Sequence, residues 1–174
     1  MDAATEAAKK IRLLALDVDG VLTDGTIWVA PDGGVTKRFH IRDGHALVML
    51  PKYAGVELAI LSGRDDASTA ARAKDLRIAH VVQGLRQKLP AAKELAEKLG
   101  LSLDQIAFMG DDINDVPVIE AVGLGCAPAD ACPEAIAAAK FVSRSPGGRG
   151  AVRELCELLF KAQEKWPTVL AAMR

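Results

Sequence analysis

Three aspartates, Asp17, Asp19 and Asp24, crowd the stretch Leu13 to Gly25, LLALDVDGVLTDG. Carboxylates so close together can attack an electrophile, carry protons or hold a divalent cation. A single Asp before Gly would be ordinary turn chemistry, but three exceed what a turn needs. A calcium loop of the EF-hand kind also opens D-x-D. It requires an oxygen ligand at its fifth position, Gly at its sixth and Glu at its twelfth. Val21, Leu22 and Trp28 stand there, so that alternative fails.

Three further polar clusters follow: Ser62-Gly63-Arg64, then Lys88, then Gly110-Asp111-Asp112-Ile113-Asn114-Asp115. Together with the first they supply what hydrolysis of a phosphate monoester demands. That reaction needs accelerations of up to about 10^21-fold, and general acid–base help contributes only about 10^2 to 10^4. A covalent step, a proton donor, fixed cations and in-line geometry must therefore act together. Asp17 is the candidate nucleophile, forming an aspartyl-phosphate, and Asp19 the candidate acid and then base. Mg2+ suits a site made of Asp17, the main-chain carbonyl of Asp19 and Asp111. Ser62 offers a hydroxyl to the phosphoryl group and Lys88 a compact positive charge. Asp112 and Asp115 read as groups that orient Lys88 or the magnesium waters.

Elements must bring these clusters together. Ile11 to Leu16 is an apolar run broken only by Arg12 and reads as a buried strand ending at Asp17. Thr26–Ala30 and Val35–His40, parted by PDGG, predict a hairpin projecting from the Asp19 loop, placed to cover the site or to meet another subunit. Ile41–Tyr53 has helical spacing, with Asp43 as its cap, Gly55 as its stop, and Pro51 as a kink or point of fraying. Glu57–Leu61, Ala79–Val82, Gln105–Met109 and Val122–Cys126 read as further strands. Between them lie helices from Asp65 or Asp66 to about Leu76, from Gln87 to Leu99, and a short one after Asp115. Another spans about Pro133–Lys140, and the last runs from Ala151 to about Lys165, stopped by Pro167. The tail TVLAAMR is apolar enough to pack on something, a neighbouring chain included.

This alternation predicts an α/β fold, a Rossmann-like three-layer sandwich with a central parallel sheet. Each polar cluster then falls at a strand's carboxyl end or at the start of a helix, where such sheets bind ligands. The 174 residues suit one domain, 1–174, with the hairpin flap at about 26–40 and the C-terminal helix and tail at about 151–174. A net charge of -1 from 22 basic and 23 acidic residues, without a basic run, argues against nucleic acid. No segment approaches the apolar length of a membrane span, and MDAATEAAKK lacks the core of a signal peptide. Cys126, Cys132 and Cys156 form no C-x-x-C, and with His40, His45 and His80 show no zinc spacing. Reduced thiols in a cytoplasmic protein are the expectation.

DVDGVLTDG, LSGR, a lysine opening a helix and GDDINDVP, in that order, resemble the four motifs of the haloacid dehalogenase superfamily of phosphohydrolases. In that family an acid two residues past the nucleophile, here Asp19, marks the phosphatase branch. The short chain, the hairpin, FHIRDG, QGLRQK and GGRGAVRE are similar to the capless 3-deoxy-D-manno-octulosonate 8-phosphate phosphatases. The resemblance implies no cap domain, a sugar-acid phosphate substrate, a role in lipopolysaccharide precursor synthesis, and a homotetramer in which a neighbour's hairpin closes each site. The same motifs would serve a nine-carbon sialic-type 9-phosphate. A non-catalytic oligomerisation module of this fold is expected to lack Asp19 or Lys88.

Gly63 and Arg64 are placed with Ser62 and Lys88 as candidate substrate contacts, although Arg64 reads equally well as a solvated helix start. Arg149 and its glycines read as a tight connection in preference to an anion-binding terminus. Lys37, Arg38 and Arg42 read as positive charge near a neighbour's site or as protection of an exposed edge. Asp43 reads as a cap, and His40 and His45 as surface or satisfied residues.

Overall fold

Apolar runs that must hide both faces form the strands, and runs with one apolar stripe form the helices. The computed structural model describes residues 2–173. In chain order its strands are β1 (Leu13–Leu16), β2 (Trp28–Val29), β3 (Val35–Thr36), β4 (Glu57–Leu61), β5 (His80–Val82), β6 (Ile106–Met109), β7 (Leu124–Ala127) and β8 (Phe141–Val142). The helices are α1 (Ala3–Ala8), α2 (Ile41–Ala54), α3 (Ala67–Asp75), α4 (Lys88–Leu99), α5 (Val116–Ala121), α6 (Pro133–Ala138), α7 (Ala151–Ala162) and α8 (Trp166–Ala171). Six strands make one sheet in the order β5-β4-β1-β6-β7-β8, while β2 and β3 pair separately. Every pairing in the large sheet is parallel; Leu14, for instance, lies beside Leu58 on one side and Ala107 on the other.

Successive residues of a strand point to opposite faces, so β1 feeds two cores. Leu14 and Leu16 pack with Leu47 and Leu50 of α2 and Leu155 and Leu159 of α7. Leu13 and Ala15 pack with Leu95 of α4 and Val118 and Ile119 of α5. The result is a three-layer sandwich with no cap inserted, and β2–β3 form the expected flap, shorter than the sequence suggested. Because β1 lies between β4 and β6, the turns after these three strands open side by side at one edge of the sheet.

Several expectations are corrected. The N-terminal segment, for which no element was expected, forms α1, capped by Asp2, and buries Ala4 and Ala8. The short β8 was not foreseen. Helix α2 runs past Pro51 to Ala54, with the Gly55 N–H donating to the Pro51 carbonyl, so there is no early fraying. Asp43 does not cap that helix; His40 occupies the position without a side-chain bond. Pro167 sits in the first turn of α8, where its missing N–H costs nothing, and α7 has already ended at Ala162. The tail does pack, as expected, through Val169, which is buried, while Leu170 and Met173 stay exposed; just before it the Trp166 ring lies 6.0 Å from that of Phe160. Met1 and Arg174, the ends of the predicted lead and tail, lie outside the described residues.

Candidate active site

Leaving β1, the chain turns tightly about Thr23, which is wholly buried. Its hydroxyl accepts from Gly20 N at 3.3 Å and Gly25 N at 3.2 Å, and the N–H groups of Val21, Leu22 and Thr23 converge on the Val18 carbonyl. Gly20 has a φ of +85°, and a Cβ there would lie 1.9 Å from Asp111 Oδ2. Only glycine lets this loop approach the Asp111 carboxylate so closely. Glycines of SPGGRG press on the loop from behind: a Cβ on Gly147 would strike the Gly20 carbonyl, one on Gly148 the backbone of Thr23, and Gly148 N donates to the Val21 carbonyl at 2.9 Å.

Lys88, the first residue of α4, is buried and ties two strand ends together. Its Nζ lies 2.9 Å from Asp17 Oδ2 and 2.6 Å from Asp115 Oδ1. The other Asp115 oxygen accepts from Asp111 N at 3.0 Å and Asp112 N at 3.3 Å, fixing the loop after β6. Lys88 is itself placed by the preceding segment: the Leu85 N–H donates to the Ser62 carbonyl, and Gln83 Oε1 accepts from Asp66 N.

The electrostatics of this cluster are unbalanced. Burial pushes the Asp17 carboxyl up to about 6, with Lys88 opposing and Asp115 reinforcing the shift. Burial, then the charges of Asp17 and Asp115, push Asp111 up to about 7. Lys88 is desolvated, yet Asp17 and Asp115 hold its pKa above the ordinary lysine value. Carboxylate oxygens of Asp17, Asp111 and Asp115 lie within 4.8 Å of one another, and Asp111 Oδ1 is buried without a partner. Three carboxylates facing one ammonium lack positive charge, and a small oxygen-seeking divalent cation would supply it. Both oxygens of Asp115 are engaged by donors, which leaves Asp17 and Asp111 as the side chains with capacity to ligate.

These residues border a cavity of about 720 Å³. Asp17, Asp19, Ser62, Gly63, Arg64 and Lys88 line it, together with Asp111 and Asp112. Ser62 Oγ accepts from Arg64 N at 3.3 Å, and its hydroxyl hydrogen has no acceptor among the described residues. Arg64 extends over the cavity with Nε 3.4 Å from Asp19 Oδ2. Asp112 is exposed and accepts from Ile113 N, so it does not touch Lys88.

The sequence missed or misread three features. Lys37 is not surface charge for a neighbour: its side chain is fully buried and its Nζ lies 2.8 Å from Asp19 Oδ1 in the same chain. The clue was alternation in VTKRFH, which turns Lys37 inward and Arg38 outward toward Asp24. Asp43 is buried and reaches across the fold to cap α7, accepting from Gly150 N at 3.2 Å and Arg153 N at 2.8 Å. That carboxylate fills the α7 terminus, consistent with the connection role read for SPGGRG. Arg149 points instead toward Asp24 at 3.7 Å, and Arg42 is exposed. Asn114, which also lines the cavity, went unremarked.

The family of haloacid dehalogenase-like hydrolases matches residues 69–155. The 3-deoxy-D-manno-octulosonate 8-phosphate phosphatase of Escherichia coli K12 is 46% identical over 158 residues, covering 91% of this chain and 84% of that one. The Yersinia pestis protein of the same name is 43% identical over 164 residues, covering 94% and 87%. A crystal structure of the Moraxella catarrhalis phosphatase, in complex with magnesium ion, phosphate ion and the octulosonate, is 40% identical. It superposes with a TM-score of 0.97 over 100% of this chain and 99% of that one. A cobalt-bound Haemophilus influenzae homologue, 35% identical, gives 0.91 over 97% and 99%.

Proposed function

The chain belongs to the haloacid dehalogenase-like hydrolases, and on that premise we propose that it hydrolyses 3-deoxy-D-manno-octulosonate 8-phosphate to the free sugar acid and inorganic phosphate. The observation that carries the reading is the convergence of Asp17, Ser62, Lys88 and Asp111 on one cavity beside Asp19.

In this reading an Asp17 carboxylate oxygen attacks phosphorus and the bond from phosphorus to the sugar oxygen breaks. Asp19 delivers a proton to the departing alkoxide, leaving an aspartyl-phosphate on Asp17. Asp19, now ionised, takes a proton from the water that attacks that phosphorus; the bond to Asp17 breaks and phosphate leaves. Ser62 and Lys88 hold the phosphoryl oxygens, and Asp115 keeps Lys88 extended toward them. Asp17, Asp111 and the Asp19 main-chain carbonyl would hold magnesium, which supplies positive charge against the phosphoryl oxygens. Gly63 and Arg64 border the same cavity and are assigned to the sugar-acid end of the substrate.

The flap supports assembly into a homotetramer, because Trp28 and Val29 of β2 are 72% and 65% exposed. Among the described residues no helix is long and apolar enough to cross a membrane, in keeping with the cytoplasmic site proposed for lipopolysaccharide precursor synthesis.

The test compares kcat/KM on the eight-carbon 8-phosphate and a nine-carbon sialic-type 9-phosphate, with Asp17→Asn as control. The expected result is preference for the eight-carbon substrate and no turnover in the variant. A preference above about 10^2 for the longer sugar would overturn the substrate, since one methylene rarely contributes that much. Turnover at the wild-type rate by Asp17→Asn would overturn the nucleophile.

A further inference from the structure

We propose that Lys37 is a positioning residue, which carries the flap's position to Asp19 and holds that carboxylate aimed into the cavity. The inference rests on the phosphatase reading of the site. Lys37 follows β3 directly, and its side chain has no solvent exposure. Its Nζ lies 2.8 Å from Asp19 Oδ1 and 3.1 Å from Oδ2, 2.7 Å from Asp66 Oδ2, and 3.2 Å from Thr69 Oγ1. An ammonium has three hydrogens, and here each finds an oxygen acceptor on a different residue. Asp66 is only 6% exposed and caps α3 through Thr69 N, so one end of this bridge is anchored on a helix. The flap strand is anchored on the same helix, since Ser68 Oγ donates to the Val35 carbonyl at 2.7 Å.

Asp19 has the opposite character. It is partly open to the cavity, its carboxylate is 27% exposed, and its other charged neighbour, Arg64, is half exposed. Lys37 is thus the rigid partner in its surroundings. Without it, the Asp19 side chain is free to rotate or to follow Arg64 into solvent, and proton delivery to the leaving oxygen suffers while substrate binding does not.

The function to be lost is proton transfer, so the discriminating variable is the leaving group. An alkyl sugar phosphate departs as a strongly basic alkoxide that needs its proton, whereas p-nitrophenyl phosphate departs as a stabilised phenolate that does not. For Lys37→Met, single-turnover phosphoryl transfer from the sugar phosphate is expected to slow by about 10^2-fold. KM should hold within about threefold, and the nitrophenolate burst should stay near the wild-type rate. The variant leaves Asp66 buried and unpaired, which destabilises the fold independently. Lys37→Met/Asp66→Asn removes that lone charge, and Asn still caps helices well. The expected outcome is a recovered melting temperature with the leaving-group-specific defect intact. Equal loss on both leaving groups, or recovery of sugar-phosphate turnover in the double variant, would overturn the positioning role. If the wild-type protein forms no phospho-enzyme from either ester, the phosphatase reading fails instead.

Discussion

Lowering the pH from about 7.5 to about 5.5 should weaken magnesium binding by about 10^2-fold, through the two buried carboxyls that face Lys88. Asp111 is pushed up to about 7 and Asp17 to about 6, chiefly by burial. A cation binds the ionised forms, so protons compete with it wherever these groups are protonated. Across the interval the ionised fraction falls about 25-fold for a group at 7 and about 4-fold for one at 6, which together make about 10^2, or ~2.7 kcal/mol of binding free energy. Near pH 6.5 the same values require about one proton to leave for each ion bound.

Isothermal titration of the substrate-free protein with magnesium chloride, in buffers of different ionisation enthalpy, reads affinity and proton release together. Thermal unfolding supplies the sign of the effect on the fold. Both groups hold protons in the native state above their unfolded value of 3.8. The unfolding free energy of the ion-free protein therefore falls as pH rises from about 4 to about 7, and added magnesium should offset the loss. Affinity that changes less than threefold over the interval, or binding without proton release near pH 6.5, would refute the argument that these two carboxyls hold the cation.

Gly20→Ala should lower kcat/KM by about 10^2-fold or more, because its Cβ would lie 1.9 Å from Asp111 Oδ2. Gly55→Ala, also at positive φ but with nothing within 4 Å and outside the cavity lining, serves as control and should cost about 1 kcal/mol of stability with kcat/KM retained. Asp43→Ala removes the acceptor of the Gly150 and Arg153 N–H groups and should lower stability by about 1 to 3 kcal/mol in urea unfolding, with kcat near wild type well below the melting temperature.

Glycine punctuation and apolar runs made the central sheet readable in the sequence. The same signals placed Asp17, Ser62 and Asp111 just past β1, β4 and β6, so their arrival at one cavity follows from strand adjacency. Features that depend on partners remote in sequence were not readable. Asp43 stands in the first turn of α2 and looks like its cap, yet it serves α7, more than a hundred residues away. A two-residue edge strand such as β8 has too few residues to show a period. Alternation in VTKRFH is a local sign that Lys37 faces inward, but nothing local reveals that Asp66 and Asp19 await it there. The glycines around Arg149 were legible as a turn, but their contact with the Gly20 loop appears only when the two segments fold together.

The first loop owes its precision to being held from several directions at once. Its backbone is pinned from within by Thr23 and from behind by Gly147 and Gly148, so neither aspartate moves with solvent-exposed chain. Its two carboxylates, only two residues apart, then answer to different lysines. Lys88, delivered by α4, faces Asp17 among carboxylates whose charge remains unbalanced without a cation. Lys37, delivered by the flap and braced by Asp66 on α3, faces Asp19 in a cluster that is already paired. That division suits chemistry in which one carboxylate must be free to attack beside a metal ion while its neighbour trades protons with the leaving group. A single shared lysine would couple the two, whereas under the proposed mechanism two lysines from separate elements would let a cation govern the nucleophile and the flap govern the acid.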